Sequence, residues 1–114
     1  MADTFYALPD GFLLGAASSS WQTEGWAGKK EGHDTYIDIW YRATPELWHD
    51  CYGPKNATDF YHRYEEDIRL MGQCGLDAYR TSIDWSRFIG DYETGQVDPE
   101  GAAFYDRVID GMIA

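Results

Sequence analysis

The hydrophobic pattern predicts two strands and two helices, in the order strand, loop, helix, strand, loop, helix. The apolar run GFLLGAA, residues 11–17, is typical of a strand that is buried on both faces of a parallel sheet. The segment from Ser18 to about Lys55 carries Gly, Trp and charged residues without a regular period, so we expect a long irregular loop there. Its tryptophans indicate that this loop is ordered, because disordered segments are poor in aromatic residues.

The first helix is predicted in residues 56–75, where apolar residues recur at helical spacing. Asn56 or Thr58 can cap its start, and Gly75 is well placed to end it. The apolar positions are Phe60, Tyr61, Tyr64, Ile68 and Met71.

The second strand is predicted in residues 76–85, LDAYRTSIDW, which alternate with a period of two. One face would carry Tyr79, Thr81, Ile83 and Trp85, and the other Ala78, Arg80, Ser82 and Asp84. The segment DYETGQV then connects this strand to a helix that opens with Asp98 as the cap and Pro99 at the first helical position. The apolar stripe of this second helix is formed by Tyr105, Val108, Ile109 and Met112.

This order of elements is the start of an α/β fold. Two parallel strands and two helices cannot cover both faces of a sheet, so we expect residues 1–114 to be the front part of a larger domain. A small two-layer domain that dimerises is the alternative.

The charge of the chain argues against two classes of partner. Nine Lys and Arg stand against twenty Asp and Glu, which gives a net charge of −11. A nucleic-acid backbone or an anionic membrane surface would be repelled by this charge. Aromatic residues make up 17% of the chain, a content common in proteins that grip the flat faces of small ligands.

Cys51 and Cys74 form no CxxC or Cys/His pattern, so we expect two free thiols in a reducing compartment and no metal site. The N-terminus carries acids instead of the basic start of a secretory signal, and no apolar run approaches the length of a membrane span. We therefore expect a soluble cytoplasmic protein, and the absence of a Gly-rich phosphate loop predicts no nucleotide cofactor.

Arg80 is the first candidate for a functional residue, because it shares a strand face with small side chains. A guanidinium inside a sheet or barrel is costly unless a carboxylate meets it. Its partner would be Asp84 on the same face or a residue outside these 114 positions, and the alternative is a solvated arginine on an edge strand.

Gln22 is the second candidate, since α/β proteins place ligand-binding groups just beyond the carboxyl ends of parallel strands. A glutamine that satisfies the backbone of its own loop is the alternative. Glu24 and Asp84 lie near the two strand ends, where a pair of carboxylates could serve a hydrolase. Loop carboxylates bonded to backbone amides are the better interpretation of both.

Several segments together resemble the N-terminal part of family 1 glycoside hydrolases. They are GFLLGAASSSWQTEG, then GPKNATDFYHRYEEDIRLMGQCGLDAYRTSIDWSRFI, then GQVDPEGAAFYDRVIDGM, and they cover nearly the whole chain. The family pattern has an aromatic-Gln-x-Glu-Gly loop, a Y-H-R-Y-x-E-D-I helix and a strand reading Y-R-x-S-I-x-W-x-R. The sequence of the SSSWQTEG loop is most similar to that of the bacterial 6-phospho-β-glucosidase branch.

The resemblance implies a (β/α)₈ barrel with its active site at the carboxyl ends of the strands, of which this chain would contain the first two βα units. It assigns contact with sugar hydroxyls to Gln22 and support of the nucleophilic carboxylate to Arg80, and it makes Glu24 a supporting residue of the loop. The family's two catalytic glutamates lie in later motifs that do not occur here, so the chain alone is expected to be inactive.

The resemblance therefore predicts the N-terminal portion of a retaining β-glycosidase that hydrolyses 6-phospho-β-glucosides and requires no cofactor. A β-glucosidase acting on unphosphorylated glycosides and a non-catalytic sugar-binding remnant are the alternatives.

Overall fold

The computed structural model describes residues 5–114. Strand β1, Gly15–Ala17, pairs in parallel with strand β2, Ala78–Arg80. A Cβ atom on Gly15 would lie 2.7 Å from the Ala78 carbonyl oxygen, so only glycine allows this close approach of the two strands. The predicted parallel pairing is confirmed, although both strands are much shorter than predicted.

The predicted burial of the first strand on both faces is wrong for the described residues. All three residues of β1 are exposed, as are Phe12, Leu13 and Leu14 before it. The radius of gyration is 17.4 Å, whereas a compact chain of this length would have about 13 Å. Within residues 5–114, β1 and β2 form a sheet of two strands, and the exposure of β1 leaves the faces of this sheet open.

The segment between β1 and the first predicted helix is only partly irregular. It contains helix α1, Ser20–Thr23, helix α2, Tyr36–Ala43, and two single turns of 3₁₀ helix, Pro45–Leu47 and His49–Cys51. Helix α2 begins with a capping box, in which Thr35 accepts a hydrogen bond from the Asp38 backbone and the Asp38 carboxylate accepts one from the Thr35 backbone. The sequence interpretation missed α2, which lies within the segment predicted to be an irregular loop.

Helix α3, Phe60–Gln73, confirms the first predicted helix but not its predicted cap. Asp59 takes the capping position with left-handed backbone angles and makes no side-chain capping bond. Thr58 instead donates its hydroxyl and its backbone N–H to the Thr23 carbonyl, which ties this turn to the end of α1.

Helix α3 is terminated by Gly75, as the sequence predicts. Gly75 has a φ of +72°, the Leu76 N–H donates to the Met71 carbonyl, and the Gly75 N–H donates to the Gly72 carbonyl. These are the two bonds of a Schellman motif, which satisfies the last carbonyls of the helix.

Helix α4, Trp85–Phe88, begins where the second strand was predicted to continue. Asp84 caps it by accepting a hydrogen bond from the Ser86 N–H, so the predicted strand position of Trp85 is wrong. The DYETGQV segment is more than a connection, because strands β3, Ile89–Asp91, and β4, Gln96–Val97, form an antiparallel hairpin there.

Helix α5, Pro99–Ile113, begins as predicted, with Asp98 accepting a bond from the Gly101 N–H and Pro99 in the first turn. The core of the described chain lies between α3 and α5, and it contains Phe60, Phe104, Tyr105 and Val108 with Tyr61, Tyr64, Ile68, Met71, Phe88 and Met112 around them. The apolar face of α3 is thus confirmed. On α5 the prediction is wrong for Ile109, which is 49% exposed, and it missed Phe104, which is 1% exposed.

Candidate functional site

The carboxyl ends of β1 and β2 lie side by side and are joined by serines. The Ser18 N–H donates to the Arg80 carbonyl over 2.9 Å, and the Ser18 hydroxyl bonds with the Tyr79 hydroxyl. One turn further on, the Ser20 backbone N–H donates to the Ser82 hydroxyl over 2.9 Å. These bonds extend the pairing past the strands and bring α1 to the sheet edge, where ligand sites of parallel α/β folds lie.

Gln22 lies on α1 and its side chain is exposed. It lines a cavity of about 260 Å³ together with Trp21, Trp48, Tyr52, Gly53, Pro54, Ala57 and Thr58. Within residues 5–114 the side-chain amide of Gln22 makes no hydrogen bond. The structure therefore does not have the alternative arrangement, in which this amide bonds to the backbone of its own loop. Two donors and one acceptor are left for a ligand.

Arg80 is the last residue of β2, and its side chain is exposed. Asp84 is not its partner, because one Asp84 oxygen lies 3.0 Å from the Lys29 ammonium and the other accepts hydrogen bonds from the N–H and the hydroxyl of Ser86. Of the alternatives left open for Arg80, the pair with Asp84 is therefore wrong, and no carboxylate pairs with the Arg80 guanidinium in the part of the chain that the structure describes.

Behind α1, Glu24 lies in a buried cluster with Arg87 and Tyr105. The Arg87 Nε donates to Glu24 over 3.0 Å, and the Tyr105 hydroxyl donates to the same carboxylate over 2.9 Å. The remaining guanidinium nitrogens of Arg87 donate to the carbonyls of Ala27 and Gly25, so this arginine holds the loop as well as the carboxylate. Glu24 is thus a supporting residue, as expected, but its partners are side chains from α4 and α5 and not backbone amides.

Burial raises the pKa of Glu24 above its ordinary value, and the contacts with Tyr105 and Arg87 offset only part of that effect. Burial, followed by the charge of Glu24, also raises the pKa of Tyr105, so this hydroxyl remains a hydrogen-bond donor.

A second buried cluster centres on the Lys29 ammonium, which lies 2.8 Å from Asp38 and 3.0 Å from Asp84. The indole N–H of Trp26 donates to Asp38 over 2.6 Å. Burial alone would raise the pKa of Asp38, but the hydrogen bonds from Lys29 and from the Thr35 backbone outweigh it, so this pKa is below its ordinary value. The cluster joins the start of α2 to the start of α4.

Sequence reasoning did not single out Lys29, Arg87 or Tyr105. Arg87 stood at the end of the W-x-R part of the recognised pattern without a role, and Tyr105 was interpreted only as an apolar position. A buried carboxylate such as Glu24 needs a cation beside it. Because the chain has only nine Lys and Arg, Lys29 and Arg87 could have been singled out as candidates for such partners.

The three most buried carboxylates, Glu24, Asp38 and Asp84, are each occupied by cations or hydrogen-bond donors. These three carboxylates therefore serve the fold.

Residues 5–114 also bear on metal binding and on membrane insertion. No three or more His, Cys, Asp or Glu side chains there are grouped to hold a metal ion. No helix in the same range is long and apolar enough to cross a membrane. Cys51 and Cys74 are both free and exposed.

Comparison with known proteins relates the chain to a family of enzymes. The chain is 38% identical over 109 residues to 6-phospho-beta-glucosidase GmuD of Bacillus subtilis, covering 96% of this chain and 23% of the relative. It is 39% identical over 112 residues to Beta-glucosidase 26 of Oryza sativa subsp. japonica, covering 94% of this chain and 21% of the relative. The two identities are similar, although only the first relative is named for a phosphorylated glucoside.

Among solved structures, the psychrophilic beta-glucosidase BglU of Micrococcus antarcticus superposes with a TM-score of 0.79 at 37% identity, covering 95% of this chain and 22% of that one. The chain therefore spans between a fifth and a quarter of the length of these proteins. The sequence pattern described as Glycosyl hydrolase family 1 matches residues 4–114. Because this match covers nearly all of its length, the chain belongs to glycosyl hydrolase family 1.

Proposed function

We propose that these 114 residues are the N-terminal portion of a larger retaining β-glycosidase, a single (β/α)₈ barrel domain to which they contribute the first two βα units. The observation that carries this proposal is the family match over residues 4–114, with the chain spanning 23% of the relative from Bacillus subtilis. The open faces of the sheet support it, because exposed apolar residues before β1 are the surface that further strands and helices of a barrel would cover.

In this proposal Gln22 binds hydroxyls of the sugar ring that is cleaved, and Arg80 supports the nucleophilic carboxylate. The free amide of Gln22 at the sheet edge fits the first role. The exposed guanidinium of Arg80, which ends the neighbouring strand, fits the second. An arginine beside a carboxylate favours its ionised form and so keeps it ready to attack.

Retaining hydrolysis needs one carboxylic acid that protonates the leaving oxygen and a carboxylate about 5–5.5 Å away that attacks the sugar carbon. We assign both to sequence beyond these residues, because the buried carboxylates here are occupied by Lys29, Arg87 and Tyr105. The 114-residue chain alone is therefore proposed to be inactive and to need no cofactor.

The proposed substrate is a 6-phospho-β-glucoside, supported by the resemblance of the SSSWQTEG loop to the phospho-branch and by the relative named 6-phospho-beta-glucosidase. A charged substrate of this kind does not cross membranes unaided, so we place the enzyme in the cytoplasm. A β-glucosidase acting on unphosphorylated glycosides is the second candidate, favoured by the rice relative at 39% identity.

The test is hydrolysis by the complete polypeptide that contains this chain. It should release nitrophenol from p-nitrophenyl β-glucoside 6-phosphate with a kcat/KM at least roughly tenfold above that for the free glucoside, a difference of about 1.4 kcal/mol in transition-state stabilisation. The reverse ratio would establish the second candidate, and no hydrolysis of either compound would contradict the proposal and favour a non-catalytic sugar-binding remnant.

A further inference from the structure

Helix α1, which carries Gln22, is too short to hold its position by itself. It contains only the four residues Ser20–Thr23, whereas isolated helices shorter than about 12 residues are marginal in water. Its N-cap residue, Ser19, makes no side-chain hydrogen bond to the first turn. The place of Gln22 therefore depends on the contacts that α1 makes with other parts of the chain.

The segment that follows strand β2 supplies the contact at the start of α1. The Ser18 N–H donates to the Arg80 carbonyl, which continues the parallel pairing of β1 with β2. If this ladder went on, the Ser20 N–H would donate to the Ser82 carbonyl, because the bonds of a parallel pair are evenly spaced. It donates instead to the Ser82 hydroxyl, so a side chain takes over where the backbone pairing ends.

Ser82 and Ser20 are joined by a second hydrogen bond. Their two hydroxyl groups bond with each other over 3.0 Å, and Ser20 is buried. A hydroxyl can accept two hydrogen bonds and donate one, so the Ser82 hydroxyl has the capacity for both contacts. Without this hydroxyl the buried Ser20 N–H would lose its acceptor, which is destabilising.

The far end of α1 is held by a different segment. The N–H and the hydroxyl of Thr58 both donate to the Thr23 carbonyl, over 3.3 and 3.2 Å. A four-residue helix that is fixed at one end only can still turn about that end. The bonds from Ser82 at the other end therefore decide where Gln22 lies along the sheet edge.

Ser82 also relates the two residues that are proposed to serve the substrate. It follows Arg80 by two positions, on the strand face that the alternation of the sequence assigns to Arg80. The Arg80 carbonyl and the Ser82 hydroxyl bind Ser18 and Ser20, which lead directly to Gln22. The short stretch of residues 80–82 thus sets the spacing between the guanidinium of Arg80 and the amide of Gln22.

We propose that Ser82 is a positioning residue for glycoside hydrolysis, whose hydroxyl fixes the start of α1 and thereby the place of the Gln22 amide relative to Arg80. The inference rests on the proposed function in one respect, which is that Gln22 binds the sugar that is cleaved. Ser82 itself touches no substrate in this role. Removal of its hydroxyl therefore lowers activity only by displacing Gln22.

The test is a double-mutant cycle in the complete polypeptide, measured as kcat/KM for whichever of p-nitrophenyl β-glucoside 6-phosphate and p-nitrophenyl β-glucoside is hydrolysed. Ser82→Ala should lower kcat/KM roughly three- to tenfold when Gln22 is present, as expected for the loss of one hydrogen bond. In the Gln22→Ala background the same change should lower kcat/KM by less than about twofold, because no amide is left to displace. Equal factors in the two backgrounds would overturn the proposal, since a general loss of folded enzyme acts in both.

Two further variants show whether the Ser82 hydroxyl is the group responsible. Ser82→Thr keeps a hydroxyl at this position and should restore kcat/KM to within about twofold of the wild type. Thr81→Val removes the neighbouring hydroxyl, which bonds to Ser18 over 3.2 Å and not to α1, so kcat/KM should stay unchanged. A loss in either variant as large as that in Ser82→Ala would contradict the assignment.

Hydrogen exchange of the complete polypeptide, followed by mass spectrometry, separates this inference from the proposed function. The peptide covering residues 18–25 should exchange roughly fivefold faster or more in Ser82→Ala, because α1 opens more often, and at the wild-type rate in Thr81→Val. Unchanged exchange in Ser82→Ala would overturn the inference whatever the activity. Hydrolysis of neither glucoside, with the faster exchange present, would refute the proposed function and leave Ser82 as the residue that holds α1.

Discussion

The inner and outer sides of α1 differ in how their polar groups are used. On the inner side, Glu24 is buried at 3% exposure and bonded to Arg87 and Tyr105. On the outer side, Gln22 is exposed, and its side-chain amide makes no hydrogen bond in the described chain. Two residues apart in sequence, one carboxylate is committed to the fold and one amide is available to a ligand.

The same contrast holds between Arg80, the last residue of β2, and Arg87 on α4. Arg87 is buried, and its guanidinium also lies 4.2 Å above the Tyr61 ring. Arg80 is exposed at the strand end. We conclude that the buried polar clusters set the position of the sheet edge, and that the residues proposed to bind substrate are those that the clusters leave free.

The largest expected effect comes from breaking the buried pair. Arg87→Met leaves the Glu24 carboxylate without a counter-charge in the interior, where burial already raises the pKa of that carboxyl, and it should lower the free energy of unfolding by about 3–5 kcal/mol. Urea denaturation followed by circular dichroism measures this loss. Glu66→Gln, which breaks the exposed pair of Glu66 with Arg63, is the control and should leave the unfolding curve unchanged. Similar losses in both variants would mean that the inner side is no more committed to the fold than the surface.

A smaller effect is expected from one hydroxyl of the same cluster. Tyr105→Phe removes the donor to Glu24 and the acceptor for the Asp84 N–H, and it should lower the free energy of unfolding by about 1–3 kcal/mol. Tyr64→Phe removes a hydroxyl that bonds only to exposed Glu65 and provides the control in the same urea experiment. A neutral result for Tyr105→Phe would contradict the role of this hydroxyl as a link between α5 and the loop.

A further effect depends on pH. The pKa of Asp38 in the fold is below its ordinary value of 3.8, so the unfolded chain binds protons more readily, and the stability that Asp38 provides is present above pH 3.8. It should be lost as pH falls below 3.8 through the pKa in the fold. Glu24 affects stability in the opposite sense, because its pKa in the fold is raised from the ordinary 4.5. Its contribution to the free energy of unfolding therefore falls as pH rises above 4.5.

Comparison with Asp38→Asn isolates the Asp38 contribution. The difference in unfolding free energy between the wild type and this variant should be constant near neutral pH and should shrink as pH falls below 3.8. A difference that does not change with pH would show that Asp38 contributes through packing and not through its charge.

Sequence reasoning reached those parts of the fold that depend on local patterns. The apolar spacing of α3, its end at Gly75, the Asp98 cap of α5 and the parallel pairing of β1 with β2 all follow from residues close in sequence or from the alternation of elements. Gln22 was proposed from its position after a strand, and the structure has it exposed at that edge, while its contact with substrate stays a prediction.

What the sequence could not supply depends on distant contacts. Glu24 and Tyr105 are separated by 81 positions, so no local pattern shows that they bond. Asp84 was assigned to the strand face of Arg80 by alternation, but its side chain caps α4 and binds Lys29 instead. Helix α2 was missed because its capping carboxylate, Asp38, also belongs to the Lys29 cluster and reads in sequence as one more loop acid.

The smallest effect on stability is expected on the outer side of α1. Gln22→Ala and Arg80→Ala should each change the free energy of unfolding by no more than about 0.5 kcal/mol, because both side chains are exposed and unbonded in the described chain. The urea experiment used for Arg87→Met measures both. A loss of several kcal/mol in either variant would place that residue with the structural clusters.

The most direct test of the account is kcat/KM of the complete polypeptide for p-nitrophenyl β-glucoside 6-phosphate, measured for the wild type and for Gln22→Ala. If Gln22 binds the sugar that is cleaved, the variant should lose roughly tenfold or more in kcat/KM, as expected when a hydrogen bond to substrate is removed, with the unfolding free energy unchanged. An active enzyme whose kcat/KM is the same with alanine at this position would contradict the account.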